Sequence, residues 1–326
     1  MALSLPIGRF APSPTGVLHL GNLRTALASW LSVRAQGGSW VLRMEDVDLV
    51  RSRRELGEAQ IRDLAALGLE SDAPILWQSQ RGPIYQAALE RLGRGDRLYT
   101  CTCTRRDLAL LAAAPHDSDG LRPYPGHCRS AARNGGDRPL AKLALPPLSP
   151  APFKALDGAL RFRLPEGEVA WVDRLLGPQR DDPGDWTGDP LLFRRDGCFA
   201  YHLAVVVDDG GQGVSEVVRG ADLRGVTATQ IRLQEALGLA RPVYAHLGLV
   251  TSPDGTRLGK RAGALGVPAL AAKGIDTKAI LGWLGWSLGC QEAPEPCRAE
   301  DLVAGFAWPQ VPKASVAIPA AWAQAS

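Results

Sequence analysis

The chain has 326 residues, of which 45% are hydrophobic and 22% are charged, and its formal net charge is +3. This composition is typical of a folded globular protein, and the length suffices for two hydrophobic cores. The weak positive charge neither requires nor excludes a nucleic-acid partner. No window approaches the roughly 18 apolar residues of a membrane span, and no signal peptide is recognisable, so we expect a cytoplasmic protein without a membrane partner.

The first hundred residues predict alternating strands and helices. A strand, a helix and a second strand in close succession are the unit of a parallel sheet. Such sheets bind ligands at the carboxyl ends of their strands. The predicted elements are strands at 5–11 and 40–44 and helices at 22–35, 52–68 and 82–94.

The character of the sequence changes near residue 98. Clustered cysteines, loops rich in proline and glycine, and a short strand candidate at 160–164 indicate an insertion of mixed α+β structure. After it, strand and helix signals return at 199–209, 215–220, 227–238, 243–250 and 267–288. We therefore predict an α/β domain in two halves, 1–97 and 191–262, an inserted subdomain at 98–190, and a short helical C-terminal extension at 263–326.

A rigid loop, residues 8–22 (GRFAPSPTGVLHLGN), brings His19 to the start of the first predicted helix. Amides and the dipole at a helix N-terminus favour phosphate, Gly21 lets a nucleotide approach the backbone, and an imidazole can donate to phosphate oxygens. The alternative is a histidine that merely caps the helix. The place of the loop between a strand and a helix favours the phosphate-binding function.

The run His19-Leu20-Gly21-Asn22, preceded by PSPTG, resembles the HIGH-type signature of class I aminoacyl-tRNA synthetases in its glutamyl form. These enzymes pair it with a mobile KMSKS-type loop, for which RLGKR at 257–261 is the candidate. Lys260 keeps the cationic position, whereas Arg257 and Gly259 depart from the pattern. RFAPS, LRMEDVD, AYHLAVVVDD and VVRGADL also resemble glutamyl-type segments, in the right order. The resemblance implies a Rossmann-type class I synthetase catalytic domain.

The resemblance also implies the site residues. His19 and Lys260 would be catalytic and bind ATP with its Mg²⁺, together with Gly21 and Asn22. Glutamate carries two carboxylates and one ammonium, so its pocket needs cationic donors and an anion. The residues implied for L-glutamate are Arg9, Phe10, Ala11, Pro12, Ser13, Glu45, Tyr201 and Arg219.

Among these residues, Arg9 and Arg219 match the family's carboxylate-binding arginines, Glu45 its amino-group acceptor, and Tyr201 a hydroxyl that faces the substrate. Thr229 stands where the family usually has an arginine, which leaves a contact to RNA or nucleotide open.

Three cysteines are close enough in sequence to share a metal. The spacings Cys101-x-Cys103 and Tyr124-x3-Cys128 offer three thiolates, and zinc in closed structural sites prefers four ligands. Free cysteines in a loop-rich insertion are the alternative. Resemblance to the glutamyl-Q tRNA(Asp) synthetase family implies one structural Zn²⁺ held by Cys101, Cys103, Tyr124 and Cys128, with His127 or His116 as a substitute fourth ligand.

Few residues follow Lys260, and we expect no helical anticodon-binding domain of the glutamyl-tRNA synthetase type. A glutamyl-type catalytic domain without that helical domain also resembles the glutamyl-Q tRNA(Asp) synthetase family. The resemblance implies ATP-dependent, tRNA-independent activation of L-glutamate and its transfer to the queuosine base in the anticodon loop of tRNA(Asp), by a monomer. The alternatives are a truncated discriminating glutamyl-tRNA synthetase that charges the tRNA 3′ end, and a non-catalytic paralogue that binds glutamate or tRNA.

Overall fold

A seven-stranded sheet forms the centre of the molecule. The computed structural model describes residues 5–104, 123–131, 158–256, 258 and 265–323. In chain order the elements are β1 (Ile7–Phe10), α1 (Leu20–Arg34), β2 (Ser39–Met44), α2 (Arg54–Ala66), β3 (Leu76–Trp77), α3 (Gly82–Arg94), β4 (Leu98–Cys101), α4 (His127–Ala131), β5 (Ala159–Phe162), β6 (Val169–Asp173), β7 (Gly177–Asp181), α5 (Pro183–Trp186), β8 (Leu191–Phe193), α6 (Tyr201–Gly211), β9 (Glu216–Gly220), α7 (Thr227–Leu237), β10 (Val243–Leu247), β11 (Val250–Thr251), α8 (Val267–Ala272), α9 (Thr277–Ser287), β12 (Val316–Ala317) and α10 (Ala320–Ala323).

The strand order of the central sheet is β3-β2-β1-β9-β10-β6-β7. Every neighbouring pair is parallel except β6 and β7, which are antiparallel. The chain moves outward from β1 to β3 on one side and from β9 to β10 on the other, so a topological switch point lies between β1 and β9. A crevice at such a point is where open α/β sheets bind ligands.

Helices cover both faces of this sheet because its central strands are apolar on both faces. Val218 and Ala245 belong to the same core cluster as α1, whereas Val217 and Tyr244 pack with residues of α7. Successive side chains of a strand point to opposite faces, so two apolar neighbours bury two layers. The predicted α/β fold with a parallel sheet is thereby confirmed.

The segment 98–190 contributes to two sheets. Its strands β4 and β5 form a separate antiparallel sheet with β8, while β6 and β7 extend the central sheet. Part of the predicted insertion therefore lies on the central sheet, and the proposed domain boundaries stay a prediction.

Several predicted elements differ at their ends or are divided. The helix predicted at 82–94 has those bounds, whereas the strand predicted at 243–250 divides into β10 and β11, and the helical pattern at 267–288 divides into α8 and α9. Among the helices that the structure describes, none has the length and apolarity needed to cross a bilayer.

Candidate active site

A cavity of about 460 Å³ opens at the carboxyl ends of β1, β2 and β9, beside the switch point. It is lined by all of the predicted substrate residues that the structure describes. They are Arg9, Phe10, Ala11, Pro12, Ser13, His19, Gly21, Asn22, Glu45, Tyr201 and Arg219. Lys260, Arg257 and Gly259 lie outside the described residues.

His19 caps helix α1 at the edge of this cavity. Its Nδ1 accepts hydrogen bonds from the backbone amides of Gly21 and Asn22, at 3.1 and 3.3 Å, and the Asn22 side chain accepts from the His19 amide at 3.1 Å. A nitrogen that accepts carries no proton, so the neutral ring bears its proton on Nε2. His19 thus caps the helix, which both interpretations of this residue allow, and its neutral ring carries an N–H on Nε2.

Two arginines meet one aspartate behind the cavity. Asp209 Oδ1 lies 2.8 Å from Arg43 Nη1 and 3.5 Å from Arg9 Nε. Arg43, which is fully buried, also donates to Glu45 at 3.3 Å. The backbone amide of Glu45 is held by the Pro12 carbonyl at 2.9 Å. The cluster thereby connects β1, β2 and α6, and its members Arg9 and Glu45 line the cavity.

The charges of this cluster set its protonation states. Burial by itself raises the pKa of Asp209, but the positive charges of Arg43 and Arg9 outweigh it and keep that pKa below its ordinary value. Burial prevails at Glu45, whose pKa is raised despite the same two arginines. A cationic ligand group beside Glu45 would therefore favour its charged form.

Arg219, at the end of β9, is held from three sides. Its Nε donates to His246 Nε2 at 3.0 Å, Nη1 donates to Gln230 at 2.7 Å, and Nη2 donates to Thr227 at 2.8 Å. His246 Nδ1 lies 2.6 Å from Asp173. Arg219 is 4% exposed and still lines the cavity, so its guanidinium is fixed while part of it faces the ligand space.

Tyr201 and Thr229 differ in their relation to the cavity. Burial raises the pKa of Tyr201, which keeps its hydroxyl protonated beside the ligand space. The fully buried Thr229 lies with its hydroxyl oxygen 2.7 Å from that of Thr187. Thr229 therefore makes a polar contact inside the protein.

Sequence reasoning missed the charged groups that stand behind the pocket. Arg43 interrupts an apolar strand, Asp209 ends an apolar run in a helix, and His246 lies in the middle of another apolar strand. A charged or polar residue within a buried run needs a partner, and that signal was present. It could not identify the partners, because Asp209 and Asp173 come from distant elements.

The cysteine cluster forms a second polar site, beside β4 and α4. The sulfur atoms of Cys101, Cys103 and Cys128 lie within 4.8 Å of one another. The Tyr124 hydroxyl is 3.5 Å from the sulfur of Cys101 and 3.9 Å from that of Cys103. A tetrahedral zinc ion about 2.3 Å from each sulfur would hold two sulfur atoms roughly 3.8 Å apart. The sulfur atoms of Cys103 and Cys128 are 3.5 Å apart, which is close to that separation.

The acidity of the thiols differs within this cluster, since burial raises the pKa of Cys103 to about 12. Burial raises the pKa of a thiol, but hydrogen bonding with Tyr124 and Thr102 lowers that of Cys128 to about 6. His127 is exposed and does not belong to the cluster found among the described residues. His116 lies outside those residues. Among the described candidates for the fourth ligand, Tyr124 is the one beside the sulfur atoms.

The sequence is similar to those of known proteins. Residues 7–316 match the family model described as tRNA synthetases class I (E and Q), catalytic domain. A Symbiobacterium thermophilum protein named glutamyl-Q tRNA(Asp) synthetase is 43% identical over 328 residues, covering 96% of each chain. A protein of the same name from Geobacter sulfurreducens is 46% identical over 263 residues, covering 81% of this chain and 78% of its own.

A solved structure shows the same architecture. The crystal structure of a glutamate tRNA ligase from Elizabethkingia meningosepticum, in complex with its amino acid, has a TM-score of 0.77 and 24% identity. The match covers 98% of this chain and 68% of that chain. At this identity the similarity supports the fold and leaves the substrate to the site chemistry.

Proposed function

The chain belongs to the family of class I (E and Q) tRNA synthetase catalytic domains, and we propose that it activates L-glutamate with ATP and transfers the glutamate to the queuosine base of tRNA(Asp). The relatives named glutamyl-Q tRNA(Asp) synthetase support this acceptor, because their similarity extends along nearly the whole chain. ATP and a mature tRNA as substrates place the proposed reaction in the cytoplasm.

The observation that carries the proposal is the charge pattern of the cavity. Arg9 and Arg219 supply cations for two carboxylates, and Glu45 supplies an anion for one ammonium. Glutamate has this set of charges. Aspartate also carries two carboxylates and one ammonium. The distance between Arg9 and Arg219 must therefore decide which length of amino acid fits the pocket.

The first step requires positioning and charge stabilisation. A carboxylate oxygen of glutamate attacks the α-phosphorus of ATP, the bond from that phosphorus to the bridging oxygen breaks, and pyrophosphate leaves with the electron pair. The Nε2–H of His19 donates to a phosphate oxygen, and Lys260 neutralises the departing charge. Mg²⁺ accompanies ATP on its phosphates.

In the second step a hydroxyl of the queuosine cyclopentenediol attacks the carbonyl carbon of glutamyl adenylate. The carbon–oxygen bond to AMP breaks, AMP leaves, and the hydroxyl proton passes to solvent. No covalent enzyme intermediate is required, because the adenylate already carries a good leaving group.

We propose a structural role for Zn²⁺ at Cys101, Cys103, Tyr124 and Cys128. The three sulfurs and the phenol oxygen lie close enough for one tetrahedral ion. The ion would fix the connection between β4 and α4. It takes no part in the two chemical steps.

Labelled glutamate and a modified acceptor test the function. Queuosine-containing tRNA(Asp) is trimmed of its 3′-terminal adenosine, which removes the ordinary acceptor, and is incubated with enzyme, ATP and Mg²⁺. We expect full labelling of this tRNA, and loss of labelling when periodate has cleaved the queuosine diol. The matched control is tRNA(Asp) that lacks queuosine.

The outcomes separate the alternatives. Labelling of intact tRNA(Glu) but not of trimmed tRNA(Asp) would identify a truncated glutamyl-tRNA synthetase. Absence of glutamate-dependent ATP–pyrophosphate exchange, both without tRNA and with tRNA added, would identify a non-catalytic binder. Exchange at the wild-type rate in His19→Ala would overturn the role given to His19.

A further inference from the structure

We propose that Asp173 and His246 are positioning residues that fix the guanidinium of Arg219 for substrate binding by imposing one histidine tautomer. The inference rests on the proposed function, in which Arg219 binds a carboxylate of glutamate. Neither Asp173 nor His246 lines the cavity, so each acts through Arg219. Both are buried, at 1% and 0% exposure.

The tautomer follows from the donors and acceptors in contact. An arginine can only donate, so the 3.0 Å bond from Arg219 Nε requires an unprotonated Nε2 on His246. The proton of the neutral ring is then on Nδ1, where it donates to Asp173 Oδ2 at 2.6 Å. The two contacts, on opposite edges of the ring, therefore require the same tautomer.

Asp173 is itself held in place. Its Oδ1 accepts from the backbone amides of Leu175 and Leu176, both at 2.9 Å, which leaves Oδ2 for the histidine. The Thr227 hydroxyl accepts from Arg219 at 2.8 Å and lies 3.2 Å from His246 Nε2, to which it can donate. Each donor thus faces an acceptor along this series of contacts, from Asp173 at the end of β6 through His246 to Arg219 in β9.

This arrangement leaves Arg219 prepared to bind a carboxylate. A guanidinium has five N–H donors, and those to His246, Gln230 and Thr227 use three of them. One N–H therefore remains on each terminal nitrogen. These two donors can reach the oxygens of a carboxylate, provided that the plane of the guanidinium does not rotate. Removal of the Nε acceptor would permit that rotation.

Three substitutions separate positioning from packing. His246→Leu removes the acceptor, whereas His246→Gln can place an amide oxygen near the former Nε2. Asp173→Asn can keep an oxygen that accepts from the two backbone amides, but it presents an N–H to His246 Nδ1. Nδ1 must then accept, so the ring proton moves to Nε2, where it faces the N–H of Arg219. A catalytic aspartate changed to asparagine reverses a histidine tautomer in the same way.

Steady-state glutamate-dependent ATP–pyrophosphate exchange is measured for each variant, with melting temperature as a check on folding. We expect His246→Leu and Asp173→Asn to raise KM for glutamate about tenfold or more, the effect of losing a hydrogen bond to a charged group. KM for ATP should stay within about twofold, because the affected contact is to the amino acid. His246→Gln should stay within about threefold of wild type.

The matched control is Ser29→Ala, which removes the buried acceptor of the Trp40 indole N–H at 2.8 Å and no bond to Arg219. It should lower the melting temperature without raising KM for glutamate. Equal impairment in His246→Gln and His246→Leu would overturn the proposal, as would an unchanged KM in Asp173→Asn. If His246→Leu does not fold, the comparison of His246→Gln with Asp173→Asn decides the question. Absence of exchange in the wild type would instead overturn the proposed function.

Discussion

Replacing Asp209 by asparagine removes the anion that holds two buried arginines together. Its Oδ1 lies 2.8 Å from Arg43 Nη1 and 3.5 Å from Arg9 Nε, and its side chain is 8% exposed. The substitution leaves two guanidinium groups with the carboxylate of Glu45 and the charge of Asp208, which does not pair directly with either of them. Breaking a buried pair from one side costs about 3–5 kcal/mol, which is a large share of the roughly 5–15 kcal/mol that stabilises a typical domain.

Urea unfolding, followed by tryptophan fluorescence, measures this loss in the free energy of unfolding. Glu168→Gln is the matched control, because its ion pair with Arg180 is 57% and 69% exposed and such pairs contribute about 1 kcal/mol or less. Arg43→Met combined with Asp209→Leu should cost less than the two single changes added, since no uncompensated charge remains between them. A loss in Asp209→Asn no larger than in Glu168→Gln would refute the reasoning.

Three further predictions concern the metal, a backbone position and pH. Metal analysis should find one zinc per wild-type chain, a marked loss in Cys103→Ala, and no change in His127→Ala. Gly188→Ala would put its Cβ 2.2 Å from a carbonyl oxygen and should destabilise by roughly 2 kcal/mol more than Gly167→Ala, which shares a positive φ but meets nothing within 4 Å. Burial lowers the pKa of His246 from 6.5 to about 4. The unfolded chain therefore binds the proton first, and His246 alone should lower the unfolding free energy by about 2 kcal/mol between pH 7 and pH 5. His202, whose pKa burial also lowers to about 4, should add a similar fall in every variant compared. The total fall should be smaller in His246→Gln; an equal fall would contradict the assignment.

The amino-acid sequence by itself determined the local structure and the kind of chemistry. Apolar spacing predicted the helix at 82–94 with its observed bounds, and proline and glycine fixed where the loop before α1 turns. These signals depend on residues within one turn or one strand, so they can be read along the chain. The resemblance of RFAPS and VVRGADL to glutamyl-type segments likewise implied a carboxylate-bearing substrate, with Arg9 and Arg219 as its binding residues.

The tertiary structure decided which residues hold those charges in place. Arg9 and Val218 are 209 positions apart in sequence and are joined by a hydrogen bond across β1 and β9. Asp173 and His246 meet only because β6 and β10 are neighbours in the sheet. Tyr124 lies at the cysteine cluster, whereas His127, three positions later, is exposed and is not part of it. Pairing between distant strands is set by the packing of whole layers, and no local pattern in the sequence encodes it.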